Sequence, residues 1–283
     1  MPFEYVDSLS LPGDAAKPNE DAFAFEPRAA AVFDGATGLG EKLLPGPSDA
    51  AWIARLGADR VLAHVAAGIP PQKAVRLALH DACTTFAMLR LREPAETWEI
   101  PFASMMFATE TSPEQFEFNY FGDCEILVRR PGERCIVFGK AVERRAGERE
   151  RVAALAARMG VNPAAPGVRD AFLPALRSAR DRVNTEKGTW LFGPDANAAD
   201  HVDWVRVGAP AGSLILLVTD GFFALATDYG RYRPRSLVRM AEKKGLAALG
   251  RELRGIENRD RQGVRYPRVK TSDDATALLL RVR

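Results

Sequence analysis

Cysteine and histidine are scarce in this 283-residue chain, three of each, and net charge is nearly absent: 39 Lys and Arg stand against 37 Asp and Glu, a formal +2. Cys83, Cys124 and Cys135 are too few and too scattered for a disulfide framework or a zinc site, and they read as small core fillers. His64, His80 and His201 form no HxxH or HExxH spacing; the first two fall in helical patterns and read as structural or exposed. The balanced charge gives no ground to expect nucleic acid or an anionic membrane as a partner. No apolar run approaches the roughly 20 residues that span a bilayer. The opening MPFEYVDS lacks the basic and apolar regions of a signal peptide, so the expectation is a soluble, cytoplasmic protein. No internal repeat or low-complexity tract is present.

What the chain does have is apolar strands that end at a carboxylate. A hydrophobic content of 47% is ample for a core in one large domain or two small ones. Ala29–Gly40, AAAVFDGATGLG, runs apolar to Asp34 and then turns glycine-rich; Leu214–Gly221, LILLVTDG, repeats the device, and Phe116–Asp123, FEFNYFGD, gives a third instance. Thr271–Val282, TSDDATALLLRV, inverts it, with Asp273 and Asp274 ahead of the apolar residues. The start of one antiparallel strand lies beside the end of its neighbour, so all four carboxylate positions can gather at one sheet edge. Carboxylates crowded there would repel one another, and a hard divalent cation held by oxygen ligands, Mg or Mn, is the usual remedy. Asp34 is the expected hub.

Coarse periodicity supplies the scaffold. Strands are expected over Phe3–Ser10, Ala22–Phe25, Phe102–Thr109, Gln115–Phe121, Ile126–Arg130, Arg134–Phe138, Gly188–Phe192, Val202–Val207 and Ala275–Val282. Long amphipathic helices are expected over Asp49–Ala67, capped by Ser48, and Pro71–Leu91, with shorter ones at Pro234–Lys243 and Leu246–Ile256. Between 139 and 193 the pattern changes to two Arg-rich helical stretches, Glu143–Met159 and Arg169–Arg182, around a connector with Pro163 and Pro166; this reads as a flap-like insertion. Strands first and paired helices between them imply an α+β fold of antiparallel sheets covered by helices.

Taken in order, Asn19-Glu20-Asp21, Val32-Phe33-Asp34-Gly35, Gly122-Asp123, Thr219-Asp220-Gly221 and Asp273-Asp274-Ala275-Thr276 resemble the motifs of the PPM (type 2C) metal-dependent protein serine/threonine phosphatases, in a bacterial-like form. The resemblance spans nearly the whole chain and implies a single domain over 1–283. Its fold would be a four-layer αββα sandwich of two antiparallel sheets flanked by helices. It implies two or three Mn2+ or Mg2+ ions. Asp34 would bridge two of them, with Glu20 and the Gly35 carbonyl on one, Asp220 and Asp273 on the other, and Asp123 joining Asp220 at a weaker third. Asn19, Asp21 and Asp274 would support these ligands. The expected reaction is hydrolysis of a phosphomonoester by metal-bound water, with Asp34 and Asp220 carrying catalysis through the ions, and the implied partner is a phosphoserine or phosphothreonine protein. A small phosphoester is equally compatible with the residues themselves.

Departures from the family pattern bear on the substrate side. Where many members carry a phosphate-binding Arg before the Glu-Asp pair, Ala16 stands here, with Lys17 next to it. Lysine is a point charge and does not reproduce a bidentate guanidinium clamp. Arg180 and Arg182 of the inserted segment are further candidates for the phosphate. Gly122-Asp123-Cys124-Glu125 replaces the usual Gly-Asp-Ser-Arg, and Ala36 stands where animal members often have His. Asp200 and His201, in a segment that returns towards the core, are expected to be structural. The alternative function is a catalytically weakened PPM-like regulatory or binding module, against which the complete set Glu20, Asp34, Asp220 and Asp273 argues. Gly35–Lys42 is too poor a match to a P-loop for nucleotide binding, because Leu43 rather than Ser or Thr follows Lys42.

Overall fold

Strict two-residue alternation, with both sets apolar, sets the architecture. In β3 (Ala29–Gly35), Ala29, Ala31 and Phe33 point into one hydrophobic cluster while Ala30 and Val32 point into another. The same division holds in β9 (Leu214–Val218), where Leu214, Leu216 and Val218 face one way and Ile215 and Leu217 the other. Strands apolar on both faces must be covered on both faces, which requires more than two layers.

The computed structural model describes residues 2–142, 168–268 and 270–283, with 147, 150, 154, 157, 158 and 160 between them. One sheet is ordered β1 (Phe3–Leu11), β10 (Ala275–Val282), β9, β6 (Glu125–Arg129), β7 (Ile136–Phe138); the other is ordered β2 (Asp21–Glu26), β3, β4 (Ala103–Ser112), β5 (Gln115–Phe121), β8 (Asp203–Gly208). All the pairings are antiparallel. Val32, Met106, Phe118, Ile126, Leu217 and Leu278 fill the space between the sheets. Helices α1 (Asp49–Ala66) and α2 (Pro71–Leu89) cover the outer face of the β3 sheet. Helices α4 (Asp220–Thr227), α5 (Pro234–Lys244) and α6 (Leu246–Arg259) cover the outer face of the β9 sheet. The result is the four-layer αββα sandwich expected from the sequence.

Helix starts follow their local chemistry. Ser48 caps α1, its hydroxyl accepting from the Ala51 N–H at 3.2 Å, and Pro71 begins α2 where a missing N–H costs nothing. His64 on α1 bonds Asp81 on α2 at 2.8 Å, tying the two helices together. Cys124 and Cys135 are buried, and Cys83 is half-buried on α2. No helix among the described residues is long and apolar enough to cross a membrane.

Two expectations are corrected. Gly188–Phe192 is not a strand: it contributes one antiparallel bridge, Phe192 to Ala103. The reason is positional, since β5 pairs with β4 only as far as Met105, which leaves a very short free edge there. The apolar run Leu214–Gly221 is not a strand to its end: β9 stops at Val218, and Asp220 opens α4, where its charge favours the helix N-terminus. The expected helix Arg169–Arg182 is present as α3 (Val168–Arg180). The one expected over Glu143–Met159 and the connector after it lie largely outside the described residues.

Candidate metal centre

Three strand or turn ends converge on one point. Asp34 sits at the end of β3, beside Asp21 of β2 in one direction and Ser104 of β4 in the other. The Ser104 hydroxyl donates to Asp123 Oδ1 at 2.6 Å, fixing the turn between β5 and β6 where the chain passes from one sheet to the other. From the facing sheet, Asp220 enters on the first turn of α4. One carboxylate oxygen from each of Asp34, Asp123 and Asp220 lies within 4.8 Å of the others.

Close backbone approach holds this geometry. Gly35 donates its N–H to the Glu20 carbonyl at 3.0 Å. A Cβ on Gly35 would lie 2.5 Å from the Ala50 carbonyl oxygen and 2.6 Å from that of Glu20, so a side chain is excluded. Asp274 staples two loops, accepting from the Gly13 N–H at 2.7 Å and the Glu20 N–H at 2.6 Å. Arg254 of α6 donates to the carbonyls of Leu11, Pro12 and Asp273 at 3.0 ± 0.1 Å, securing the same loops from the helix side.

The acids repel one another strongly. Asp34 keeps an opening to solvent, yet its surroundings desolvate it, and the charges of Asp220, Asp21, Asp123 and Asp273 add to that; its pKa is raised well above the usual carboxylate range. Asp21 is buried and raised for the same first reason, against the opposing hydrogen bond from Thr219 Oγ1 at 2.8 Å. Its other oxygen, Oδ1, is buried with no hydrogen-bond partner. Clustered carboxylates, all-oxygen donors and an orphaned buried oxygen fit a hard divalent cation.

The remaining expected residues stand around this cluster. Glu20 lies outside the three-acid group and accepts from the hydroxyls of Thr37 at 2.5 Å and Ser48 at 2.6 Å. Asp273 receives the Lys270 ammonium at 2.7 Å. Asn19 braces the loop, its amide donating to Ser10 Oγ at 2.8 Å and its Oδ1 accepting from the Asp21 N–H. Lys17 is exposed with Asp14 as its ion-pair partner at 3.9 Å. Arg180, at the end of α3, donates to the Thr37 carbonyl at 3.3 Å and the Ala36 carbonyl at 3.5 Å. Arg182 bonds Ser178 of its own segment at 2.8 Å. Away from the acids, His201 stacks on Trp190 at 3.5 Å, and Asp200 pairs with Arg76.

Lys270 is the residue that the motif reading passes over. Its ammonium lies 2.7 Å from Asp273 and 3.3 Å from Thr37 Oγ1. Desolvation works against its charge, but Asp273, Asp34 and Asp220 outweigh it and hold the pKa above the usual lysine range, although 40% of the side chain is exposed. The only sequence signal is a lone cation three residues before Asp273. Arg177 is likewise unannounced: it donates to the Leu39 carbonyl at 2.8 Å and stacks over Trp98 at 4.1 Å, docking α3 on the loop that follows Asp34.

No protein-family model matches the chain, and neither does any curated protein. Solved structures do. The serine/threonine phosphatase PstP/Ppp of Mycobacterium tuberculosis superposes with a TM-score of 0.58 at 16% identity over 100% of both chains. The catalytic domain of the serine threonine protein phosphatase PstP in complex with two manganese ions gives 0.56 at 17%, over 99% of this chain and 98% of that one. The PPM Ser-Thr phosphatase MsPP from Mycobacterium smegmatis, in complex with cacodylate, gives 0.55 at 16%, over 98% and 97%. At such identities the likeness is one of fold, and the fold is that of the PPM-type phosphatases.

Proposed function

We propose that this chain is a single-domain, divalent-metal-dependent phosphomonoester hydrolase acting on phosphoserine or phosphothreonine in proteins. The observation that carries the reading is the convergence of Asp34, Asp123 and Asp220 within 4.8 Å, in a fold shared with metal-dependent phosphatases. Bound there, two Mn2+ or Mg2+ ions would supply charge for the phosphoryl oxygens and a water acidic enough to attack phosphorus in line.

The chain's own residues divide the work. Asp34, with Glu20 and the Gly35 carbonyl on one side and Asp220 and Asp273 on the other, would hold the ions, and Asp123 with Asp220 would hold a third. Asp21 braces Asp220 through Thr219, whose hydroxyl it accepts. Lys270 lies within reach of both Asp273 and the Thr37 hydroxyl and offers an ammonium for a substrate phosphoryl oxygen. Arg180 adds a guanidinium above the loop after Asp34.

A second reading, a weakened metal-binding regulatory module, draws support from the same Lys270, which already neutralises Asp273. Phosphate release from a phosphothreonine peptide with Mn2+, Mg2+ or chelator, beside calorimetric Mn2+ titration, separates the two. The hydrolase reading expects metal-dependent turnover that Asp220→Asn lowers by more than the ~10–100-fold cost of losing an outer partner of a metal ligand. Mn2+ binding that needs Asp220, with no turnover on any phosphoester, would leave the module.

A further inference from the structure

Outside the acid cluster, a cavity of about 690 Å³ opens on the helical layer over the β9 sheet, between α6, the turn after α4 and the segment around Tyr266. That volume falls within the range of small-molecule sites, about 300–1,000 Å³. Four arginines line it, Arg231, Arg251, Arg259 and Arg265, against one carboxylate, Glu252. Glu252 is already committed: it accepts from Lys244 at 2.7 Å, from the Tyr232 hydroxyl at 2.6 Å and from Arg231 at 3.3 Å. Arg251 and Arg259 have no carboxylate partner among the described residues, and Arg265 lies over the Tyr266 ring at 5.2 Å. Some arginines elsewhere are paired, as Arg28 is with Glu110 and Arg92 with Glu99, so what sets Arg251 and Arg259 apart is that they share one cavity with Arg231 and Arg265.

The floor of the cavity is as telling as its walls. Arg251, Gly255 and Arg259 follow one another at four-residue steps on α6, so they share a face, and the two guanidinium stems are separated by ~12 Å along the axis. A glycine at the centre of a helix weakens it. Packing does not require this one, since a Cβ there would meet only the Arg259 guanidinium, at 3.4 Å. Its effect is to let the Arg259 guanidinium lie back over the helix on the Arg251 side, on the floor of the cavity.

We propose that this cavity binds a small molecule carrying a chain of phosphoryl groups, either free polyphosphate or the phosphate tail of a nucleotide. Guanidinium forks match phosphate oxygens bidentately, and an excess of cations spread along a helix face suits a ligand with several charges in a row.

The test is calorimetric titration of the full chain with inorganic tripolyphosphate and, separately, ATP, at physiological ionic strength with chelator present so that no ion bridges ligand and acids. Thermal melts confirm that each variant is folded. Expected is saturable binding that weakens about tenfold or more in Arg251→Gln/Arg259→Gln. Gly255→Met, which keeps every charge and adds a good helix former, is expected to weaken it similarly by displacing the Arg259 guanidinium from its place over residue 255, while Asp220→Asn leaves it unchanged. Tighter binding of ATP identifies a nucleotide, and equal binding identifies the bare phosphate chain. Binding lost in Asp220→Asn would move the ligand to the acid cluster. Binding that survives Gly255→Met while following the arginine count would reduce the effect to diffuse surface charge. Preference for a phosphopeptide over both probes would likewise overturn the proposal.

Discussion

Asp21 is the most confined carboxyl of the centre, 5% exposed, with Thr219 on one oxygen and no partner on the other. Its pKa and that of Asp34 are raised, so between the ordinary carboxylate value of about 4 and the raised one the folded state binds more protons than the unfolded. Stability of the metal-free protein therefore falls as pH rises through that window, by up to about 1.4 kcal/mol per unit for each such group. Thermal melts in chelator are expected to show a higher melting temperature near pH 5 than near pH 7.5, with the slope flattened in Asp21→Asn. Glu99, Glu252 and Asp260, each held at about 2, act in the opposite sense but only below the ordinary range, outside the interval measured. Adding Mn2+ should raise the pH 7.5 melt most, because only the native state offers the site. Lys270→Met is expected to raise KM for a phosphopeptide about tenfold, the scale of one charge-assisted hydrogen bond, with a smaller change in kcat. Tightened Mn2+ binding with an unaltered KM would make Lys270 a counter-ion to Asp273 alone. Asp34, Asp123 and Asp220 are visible in sequence because each ends an apolar run. Lys270 is not, because a lysine in the polar stretch Arg268–Ser272 looks like any solvated side chain until folding places it.

At the scale of elements, the loop after β3 is held from two directions. Gly35 is pinned between the carbonyls of Ala50 and Glu20, and Gly35→Ala is expected to destabilise the protein by about 2–3 kcal/mol in urea unfolding, since neither backbone atom can yield easily. From above, α3 grips the loop through Arg177 on Leu39 and Arg180 on Ala36 and Thr37, and the Asp181 carboxylate accepts from the Thr97 hydroxyl and the Trp98 N–H. Arg177→Ala removes two hydrogen bonds and the stack on Trp98, together about 1–2 kcal/mol. Hydrogen exchange should report faster opening of Val168–Arg180 while the sheets keep their protection. The amphipathic pattern announces this helix; where it docks is decided by Trp98 and Leu39, more than 70 positions earlier in the chain. The end of β9 shows the reverse case. LILLVTDG reads as one strand, but Asp220 opens a helix, and Gly221 packs so closely against the Asp274 carbonyl, 1.9 Å from where a Cβ would stand, that no side chain fits there.

For the molecule as a whole, two antiparallel sheets bring their carboxylate-bearing ends to one place. The β3 sheet supplies Asp21 and Asp34, the crossing turn between sheets supplies Asp123, and the β9 sheet leads into Asp220 and follows from Asp273 and Asp274. Repulsion among them loosens any arrangement that lacks a compensating cation, so metal should stabilise the junction of the sheets before it stabilises either outer helical layer. Hydrogen exchange with and without Mn2+ checks this: protection is expected to rise first at Asp34–Thr37 and Thr219–Phe222. Equal gains throughout α1 and α2 would mean that the metal acts elsewhere.

The sequence by itself determined that β3 and β9 need cover on both faces, because both alternating sets of their side chains are apolar, and it determined the acids, because a carboxylate that ends a buried run is costly unless something uses it. Order along the chain also made the family likeness readable. Tertiary structure alone decided which carboxylates touch, that Asp274 braces loops, that Lys270 turns inward and that four arginines line one cavity beside α6. Most of those relations join residues tens to hundreds of positions apart, and local periodicity carries no information about such distances.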